Sequence, residues 1–413
     1  MSMHVVIVVD HAHINGGQAK VALDSAVGLA RRGHRVTVFS AVGPIDPSLA
    51  EAGVAVECLF QQDAQTATSQ WRYAGQAMWN PEAAARLKQL LDGCDPRRTV
   101  AHVHGWAKAL SPSIGPVLLE SPVPAVATLH EFFMVCPNGG FFDFPANTAC
   151  TRAPLSAACI THNCDSRSFV HKAYRVARQS VVNGFSGLHR AFGHVITISE
   201  LQYTVASPWL PQGIRWHRVP NPVSIDDPGP PDASRRGDHL LFVGRLSPEK
   251  GAAIGLEAAR RAGQKVVVVG DGPDGEALQA AHPEATFLGW QKPDAVRSAM
   301  AQARALLFPS VWYEGQPLTV LEAQALGTPV LVSDICAGRE AVIDGDTGLH
   351  VRSADVSAWT QAIATIAEPG VAQRMSRAAH ARYWRDPLTL ERHLDGLEKV
   401  YGLALADALA KAA

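Results

Sequence analysis

The chain has 413 residues, enough for two sizeable domains at roughly 100–200 residues each. Its composition, 47% hydrophobic and 18% charged, is that of a globular protein with material for two cores, which excludes a disordered or fibrous chain. A formal net charge of −1 excludes a general attraction to nucleic acid or membranes, and no apolar run approaches the ~18 residues that a membrane span needs.

The first element is His4–Val9 (HVVIVV), apolar, ended by Asp10 and with no basic segment before it. That pattern predicts a buried strand rather than a secretory signal, so the expected location is cytoplasmic. Seven cysteines are then not expected to form a disulfide framework. Further strands are predicted at Arg35–Phe39, Val54–Glu57, Val100–His104, Ala125–Leu129 and Val195–Ile198. Helical spacing lies between them, as in Gln18–Arg32 and Pro81–Leu91. Residues 220–237 are rich in Pro, Asp and Gly without periodicity and read as a linker. The alternation restarts with strands at His239–Val243, Lys265–Val269, Ala285–Leu288, Ala305–Phe308, Pro329–Val332 and Gly348–Val351. The helices of this half are expected at Ala252–Ala262, Asp274–Ala281, Pro293–Ala303, Leu318–Leu326 and Val356–Ala367, and Leu388–Leu405 reads as a long terminal helix. Strands alternating with helices imply α/β domains with parallel sheets covered on both faces. The expected architecture is two doubly wound Rossmann-like domains facing across a cleft, with ligands at the carboxyl ends of the strands.

Three motifs carry chemistry, and two others imitate it. Asn15-Gly16-Gly17 follows the first strand and opens the first helix; Gly16 and Gly17 there allow close backbone approach to a ligand, or simply make a tight turn. Phe242-Val243-Gly244-Arg245-Leu246 ends a strand at Arg245, and Lys250 follows at a helix start; two cations at a strand end suit a diphosphate. In Glu314-Gly315-Gln316-Pro317-Leu318-Thr319-Val320-Leu321-Glu322, Pro317 fits the first turn of a helix, with Glu322 about one turn inside. The unpaired amides of that first turn favour an anion between the two carboxylates. Gly270-Asp271-Gly272-Pro273-Asp274-Gly275 matches a dinucleotide fingerprint, but the following strand ends Phe287-Leu288-Gly289-Trp290 without the acidic residue that such a site wants. Asp344-Gly345-Asp346 resembles a metal-binding pair in a Gly-rich turn and is read as a solvated turn.

Taken in order, these motifs resemble retaining glycosyltransferases of family 4 with the GT-B fold, nearly end to end. Ile198-Ser199-Glu200, Asn221-Pro222-Val223 and the run Glu322–Val330 stand in the family's order too. The resemblance implies that Gly16 and Gly17 let the first helix approach donor phosphate or acceptor, and that Arg245 and Lys250 bind the diphosphate. It implies that Glu314 holds the transferred sugar, helped by the amides of Gly315, Gln316, Pro317's neighbour Leu318 and Thr319, and that Glu322 binds the ribose. Gly244, Gly272 and Trp290 would line the nucleotide site. His130 matches the family histidine that reaches the donor sugar, with Glu131 where the family usually has Asp. The implied partners are a nucleotide-diphosphate sugar and a carbohydrate or glycolipid acceptor, and no cofactor is required. The implied domains are 1–220, 221–385 and a helix 386–413 that returns to the first domain. An epimerase of the same architecture or a non-catalytic sugar-nucleotide sensor are the competing readings; the latter does not account for His130, Arg245, Lys250, Glu314 and Glu322 being present together.

Within residues 131–167 lie Cys136, Cys150, Cys159 and Cys164, as in a bacterial subset of the family with a cysteine-containing insert. Such a loop, with little core of its own, would benefit from a structural zinc; reduced buried thiols are the other reading. Phe169–Val182 reads as a basic amphipathic helix with His171, Arg175 and Arg178 on one face. That face is either solvated or a peripheral contact with the anionic inner surface of a membrane or a diphosphate lipid.

Overall fold

The computed structural model describes residues 2–64, 66–232 and 236–412; residues 233–235 of the expected linker, and residues 1, 65 and 413, lie outside the described residues. The chain divides into two compact units. The first holds the chain up to Gly140, Arg152–Pro222 and the terminal segment from Leu388; the second holds Phe141–Thr151 and Val223–Pro387.

In chain order the strands of the first unit are β1 (His4–Val8), β2 (Arg35–Ser40), β3 (Ala55–Cys58), β4 (Thr99–Val103) and β5 (Ala125–Leu129). The short antiparallel pair β6 (Phe142–Asp143) and β7 (Thr148–Ala149) follows, within the segment that belongs to the second unit. The first unit then continues with β8 (Phe192–Thr197) and β9 (Arg215–Arg218). Its sheet has the order β3-β2-β1-β4-β5-β8-β9, with every pair parallel. β1 and β4, far apart in sequence, lie side by side from His4↔Thr99 to Val8↔Val103. The edge strand β9 escapes a reading of apolar runs because Arg-Trp-His-Arg carries two cations and is only half covered.

The first unit's core shows why its last helix, Leu390–Ala412, is part of it. Leu394, Leu397, Val400, Tyr401 and Ala404 join Val5, Ile7, Leu23, Leu29, Val100 and Val126 in one buried cluster. Most of these side chains are fully removed from water, and each is worth roughly 1.5–3 kcal/mol of apolar transfer. The helix Gly17–Arg31 lies against it: a Cβ on Gly28 would stand 2.6 Å from Leu394. The motif Ile198-Ser199-Glu200 has a local purpose, since Ser199 Oγ accepts from Gln202 N at 3.1 Å and caps the helix Glu200–Ala206.

The second unit's sheet comprises β10 (Leu240–Val243), β11 (Val266–Val269), β12 (Thr286–Phe287), β13 (Ala305–Phe308), β14 (Val330–Ser333) and β15 (Gly348–Val351). Its order is β12-β11-β10-β13-β14-β15, all parallel. Alternate residues feed opposite cores. Leu240, Phe242, Leu307 and Leu331 pack with Trp359 and Ile363 on one face, while Leu241, Leu306, Val330 and Val332 pack with Met300, Val320 and Ala323 on the other. This is the covered-on-both-faces pattern that near-continuous apolar runs anticipate. In both sheets the strand order reverses once, between β1 and β4 and between β10 and β13. A doubly wound sheet opens a crevice for ligands beyond the carboxyl ends at that point. Among the described residues no helix is long and apolar enough to cross a membrane.

Candidate active site

At the switch point of the second unit, β10 runs into Gly244 and exposed Arg245, then through a short turn at Pro248–Lys250 into the helix Ala252–Arg261. Beside it β13 runs into Ser310, Trp312 and Glu314. Lys250 Nζ bonds Glu314 Oε1 at 2.8 Å, and Ser310 Oγ donates to the same oxygen at 2.9 Å. Both bonds use Oε1; Oε2 takes part in neither. The turn is tied down from below: Val311 N donates to Glu249 O at 2.9 Å, and Ser247 Oγ donates to Glu249 Oε1 at 2.6 Å. Lys250 Nζ also stands 5.5 Å from the centre of the Trp312 ring, whose buried indole N–H has no acceptor among the described residues. The helix Leu318–Ala325 starts just after Pro317, so the amides of Leu318 and Thr319 are first-turn donors, and half-buried Glu322 lies one turn in. Arg245, Lys250, Glu314, Gly315, Gln316, Pro317, Leu318, Thr319 and Glu322 thus share one strand-end region.

The glycines divide into two kinds. At Gly270 φ is +137°, and a Cβ there would lie 1.9 Å from Gly244 O; one on Gly272 would lie 2.3 Å from Leu246 O. The Gly-x-Gly run after β11 is therefore demanded by backbone packing against the turn after β10. It also brings up the loop of Trp290, because Gly270 N donates to Gly289 O at 2.9 Å. Trp290 itself is 71% exposed. Gly16 and Gly17, by contrast, would meet nothing within 4 Å if given a Cβ, so the protein itself does not require glycine there. They open the helix Gly17–Arg31 onto free space, as a ligand approaching its amides would need.

At the switch point of the first unit, Asp10 follows β1 and is buried. Its carboxylate accepts from the backbone of Lys108, Ala109 and Leu110 at 2.8–3.1 Å and so shapes the loop after β4. Asp10, Gln18, His104, Trp106, His130 and Phe133 line a small cavity. His130 Nε2 lies 3.0 Å from His104 Nδ1. Burial pushes the His130 imidazole down to about 3, with His393 adding to the effect, so it is neutral near pH 7 and serves as a hydrogen-bonding group rather than a cation. Glu131 stands at the margin, 4.0 Å from Lys108 Nζ.

Two expectations find no support among the described residues. Cys136, Cys150, Cys159 and Cys164 are not gathered as metal ligands: among the described residues no group of three or more His, Cys, Asp or Glu is placed to hold an ion. Cys150 belongs to the second unit's segment, and the space between Cys159 and Cys164 is taken by buried Lys172, whose Nζ is 3.5 and 3.3 Å from the two sulfurs. An ammonium group there repels a dication. Two cations of the basic face of the helix Phe169–Ser180 are engaged within the protein. Arg178 is buried, donates to Ala107 O at 2.9 Å and stands over the Phe133 ring; Arg175 Nε forms an ion pair at 2.9 Å with the fully covered carboxylate of Asp165. Apolar Phe169 and Val170, exposed by 50% and 76%, are on its outer side together with exposed His171. The Asp344–Asp346 turn is a turn, with Asp344 Oδ1 accepting from His350 N at 2.8 Å.

Residues 15–227 match the model of "Glycosyltransferase Family 4", and residues 237–368 match that of "Glycosyl transferases group 1". The first match alone covers more than half of the chain. The chain belongs to glycosyltransferase family 4. Among named family members, it is 35% identical over 159 residues to the glycogen synthase of Mycobacterium tuberculosis, spanning 36% of this chain and 38% of that one. It is 30% identical over 221 residues to the phosphatidyl-myo-inositol mannosyltransferase of Mycolicibacterium smegmatis, spanning 48% of this chain and 57% of that one. Both matches span less than two thirds of the relative's length. Among solved structures, Anabaena HepE in complex with UDP and glucose aligns over 97% of this chain and 99% of its own with a TM-score of 0.65 at 15% identity. Sucrose-phosphate synthase from Thermosynechococcus elongatus aligns over 98% and 100% with a TM-score of 0.68 at 18% identity. The family's two-domain GT-B fold is shared with these structures.

Several residues of the two strand ends are not conspicuous in sequence. Ser310 and Trp312 sit in the same Pro-Ser-Val-Trp-Tyr-Glu run as Glu314, so proximity alone was the available clue. His102 and His104 alternate at the end of β4, where period two sends both to one face.

Proposed function

We propose that the protein is a retaining glycosyltransferase that moves a sugar from a nucleotide-diphosphate sugar to a carbohydrate or glycolipid hydroxyl. The observation that carries this reading is the Lys250–Glu314 pair at the β10/β13 switch point, set between exposed Arg245 and the start of the helix Leu318–Ala325. The cations and first-turn amides suit a diphosphate, Glu314 Oε2 suits a sugar hydroxyl, and Glu322 suits a ribose diol. In this reading the first unit serves the acceptor and the second the donor. His130 supplies a neutral hydrogen bond to a hydroxyl of the transferred sugar.

The reaction breaks the bond between the anomeric carbon and the diphosphate oxygen and forms one to the acceptor oxygen on the same face. The acceptor's proton passes to the departing phosphate. Negative charge grows on that phosphate, and Arg245, Lys250 and the helix start are pre-placed to stabilise it. No protein nucleophile is needed. A lipid-linked acceptor draws support from the mannosyltransferase relative, and the helix Phe169–Ser180 would then offer a membrane surface its apolar Phe169 and Val170.

The test is a thermal-shift panel of nucleotide sugars, followed by donor turnover with and without Glu314→Ala. A ligand of the folded state raises Tm by mass action. Stabilisation by one donor, with turnover abolished by the substitution, is the expected result. Stabilisation without turnover in the wild type would favour a sensor over an enzyme.

A further inference from the structure

His130 is the outer end of a buried chain of side chains within the first unit. Its Nε2 lies 3.0 Å from His104 Nδ1, and His104 Nε2 lies 3.2 Å from His102 Nδ1. His102 Nδ1 is 2.6 Å from the Tyr401 hydroxyl, and His102 Nε2 is 2.7 Å from Thr128 Oγ1. His102 and Tyr401 are fully buried, and His104 is nearly so. We propose that Tyr401 is a positioning residue: through His102 and His104 it fixes which ring nitrogen of His130 carries the proton. The proposal rests on the reading of His130 as a substrate-binding group.

Hydrogen-bond bookkeeping decides the direction. Burial holds His102 and His104 well below the ordinary histidine range, so each ring is neutral and has one donor and one acceptor nitrogen. Tyr401 keeps its proton, and the only partner recorded for that proton among the described residues is His102 Nδ1. A buried O–H left without an acceptor is costly, so Tyr401 donates. His102 Nδ1 is then the acceptor, and His102 Nε2–H donates to Thr128 Oγ1. His104 Nε2 also faces that acceptor, so it must carry a proton; two facing lone pairs would repel. His104 Nδ1 is left as an acceptor and takes the proton of His130 Nε2. His130 therefore presents Nδ1 as a bare lone pair, ready to accept from a sugar hydroxyl. The opposite assignment turns all three rings over together and strands the tyrosine proton.

The test uses the full-length protein labelled with nitrogen-15 in histidine, without ligand, at a pH where all three rings are neutral. His130→Gln identifies the His130 signals. The wild type should show a protonated Nε2 and an unprotonated Nδ1 at His130. Tyr401→Phe, nearly isosteric, should shift those signals toward the other tautomer or a mixture, and Thr128→Val should do so independently. Loss of one well-placed hydrogen bond should lower kcat about 3- to 10-fold with little change in donor KM. An unaltered His130 tautomer in both folded variants overturns the proposal. A shifted tautomer with unchanged kcat keeps the relay and removes His130 from the transfer step.

Discussion

Lys250 Nζ and Glu314 Oε1 are 2.8 Å apart, with the two side chains exposed by only 23% and 10%. The pair links the turn after β10 to the loop after β13, so the ammonium is already aimed before any ligand arrives. In the proposed reading Glu314 has two tasks: it holds Lys250 with one oxygen and offers the other to substrate. Glu314→Gln should slow turnover more than it weakens donor binding. Lys250→Met, which removes the charge facing the growing negative phosphate, should lower kcat/KM by about 100-fold. Steady-state kinetics with the donor identified by thermal shift checks both.

Glu322 lies about one turn into the helix that begins at Leu318. Glu322→Gln should mainly raise the donor KM, about 10-fold for one charge-assisted hydrogen bond, and leave kcat nearly unchanged. Calorimetric titration of the nucleotide product gives an independent reading. Equal losses in kcat for the Glu314 and Glu322 variants would show that the roles are not divided.

The two kinds of glycine separate stability from activity. Gly270→Ala drives a Cβ into Gly244 O and forces a left-handed backbone on alanine, so a loss of about 3 kcal/mol and a clear fall in Tm are expected. Gly16→Ala and Gly17→Ala meet no atom within 4 Å. They should leave Tm nearly unchanged while reducing turnover, because the added methyl occupies the ligand's approach to the helix start.

Acid should destabilise the first unit through its histidines. The folded-state values of His102, His104 and His130 lie below the ordinary 6.5, so the folded state binds fewer protons than the unfolded chain once pH falls past that value. Their stabilising share is complete above about pH 6.5 and is lost as pH falls, by about 1.4 kcal/mol per pH unit for each ring until its folded value is reached. Denaturant melts from pH 8 to pH 5 should show this slope, and His130→Gln should flatten it by one ring's share.

Charge reversal at Arg178 measures folding, not membrane attachment. Its guanidinium is buried against Ala107 O and the Phe133 ring. Arg178→Glu should cost about 3–5 kcal/mol, seen as a loss of cooperative melting. Substituting Phe169 and Val170 by Ser should leave Tm in place, and vesicle flotation of that variant tests the apolar route.

Both parallel sheets were legible because their strands are apolar runs separated by helical periodicity, and the grouping at the strand ends of the residues expected to hold the donor was legible because they cluster in sequence at Gly244–Lys250 and Glu314–Glu322. What was not legible depends on distance in sequence or on polarity. β9 is an edge strand of Arg, Trp and His, and the β6/β7 hairpin is two short pairs in a loop. Nothing local marks Tyr401, which meets His102 across 299 positions. The partners of the cations in the helix Phe169–Ser180 were hidden for a related reason: the cations repeat at helical spacing, yet Asn138, Asp165 and Ala107 lie on other elements.

The helix Leu390–Ala412 contributes five side chains to a core whose other members begin at Val5. During synthesis the ribosome must pass Ala404 before that core can close. The second unit, complete by Pro387, is available to fold earlier. The order in which the two units mature is thus the reverse of the order in which they begin. A nascent chain that has emerged only as far as Pro387 would carry a finished second unit and a first unit whose apolar surface still lies open to chaperones.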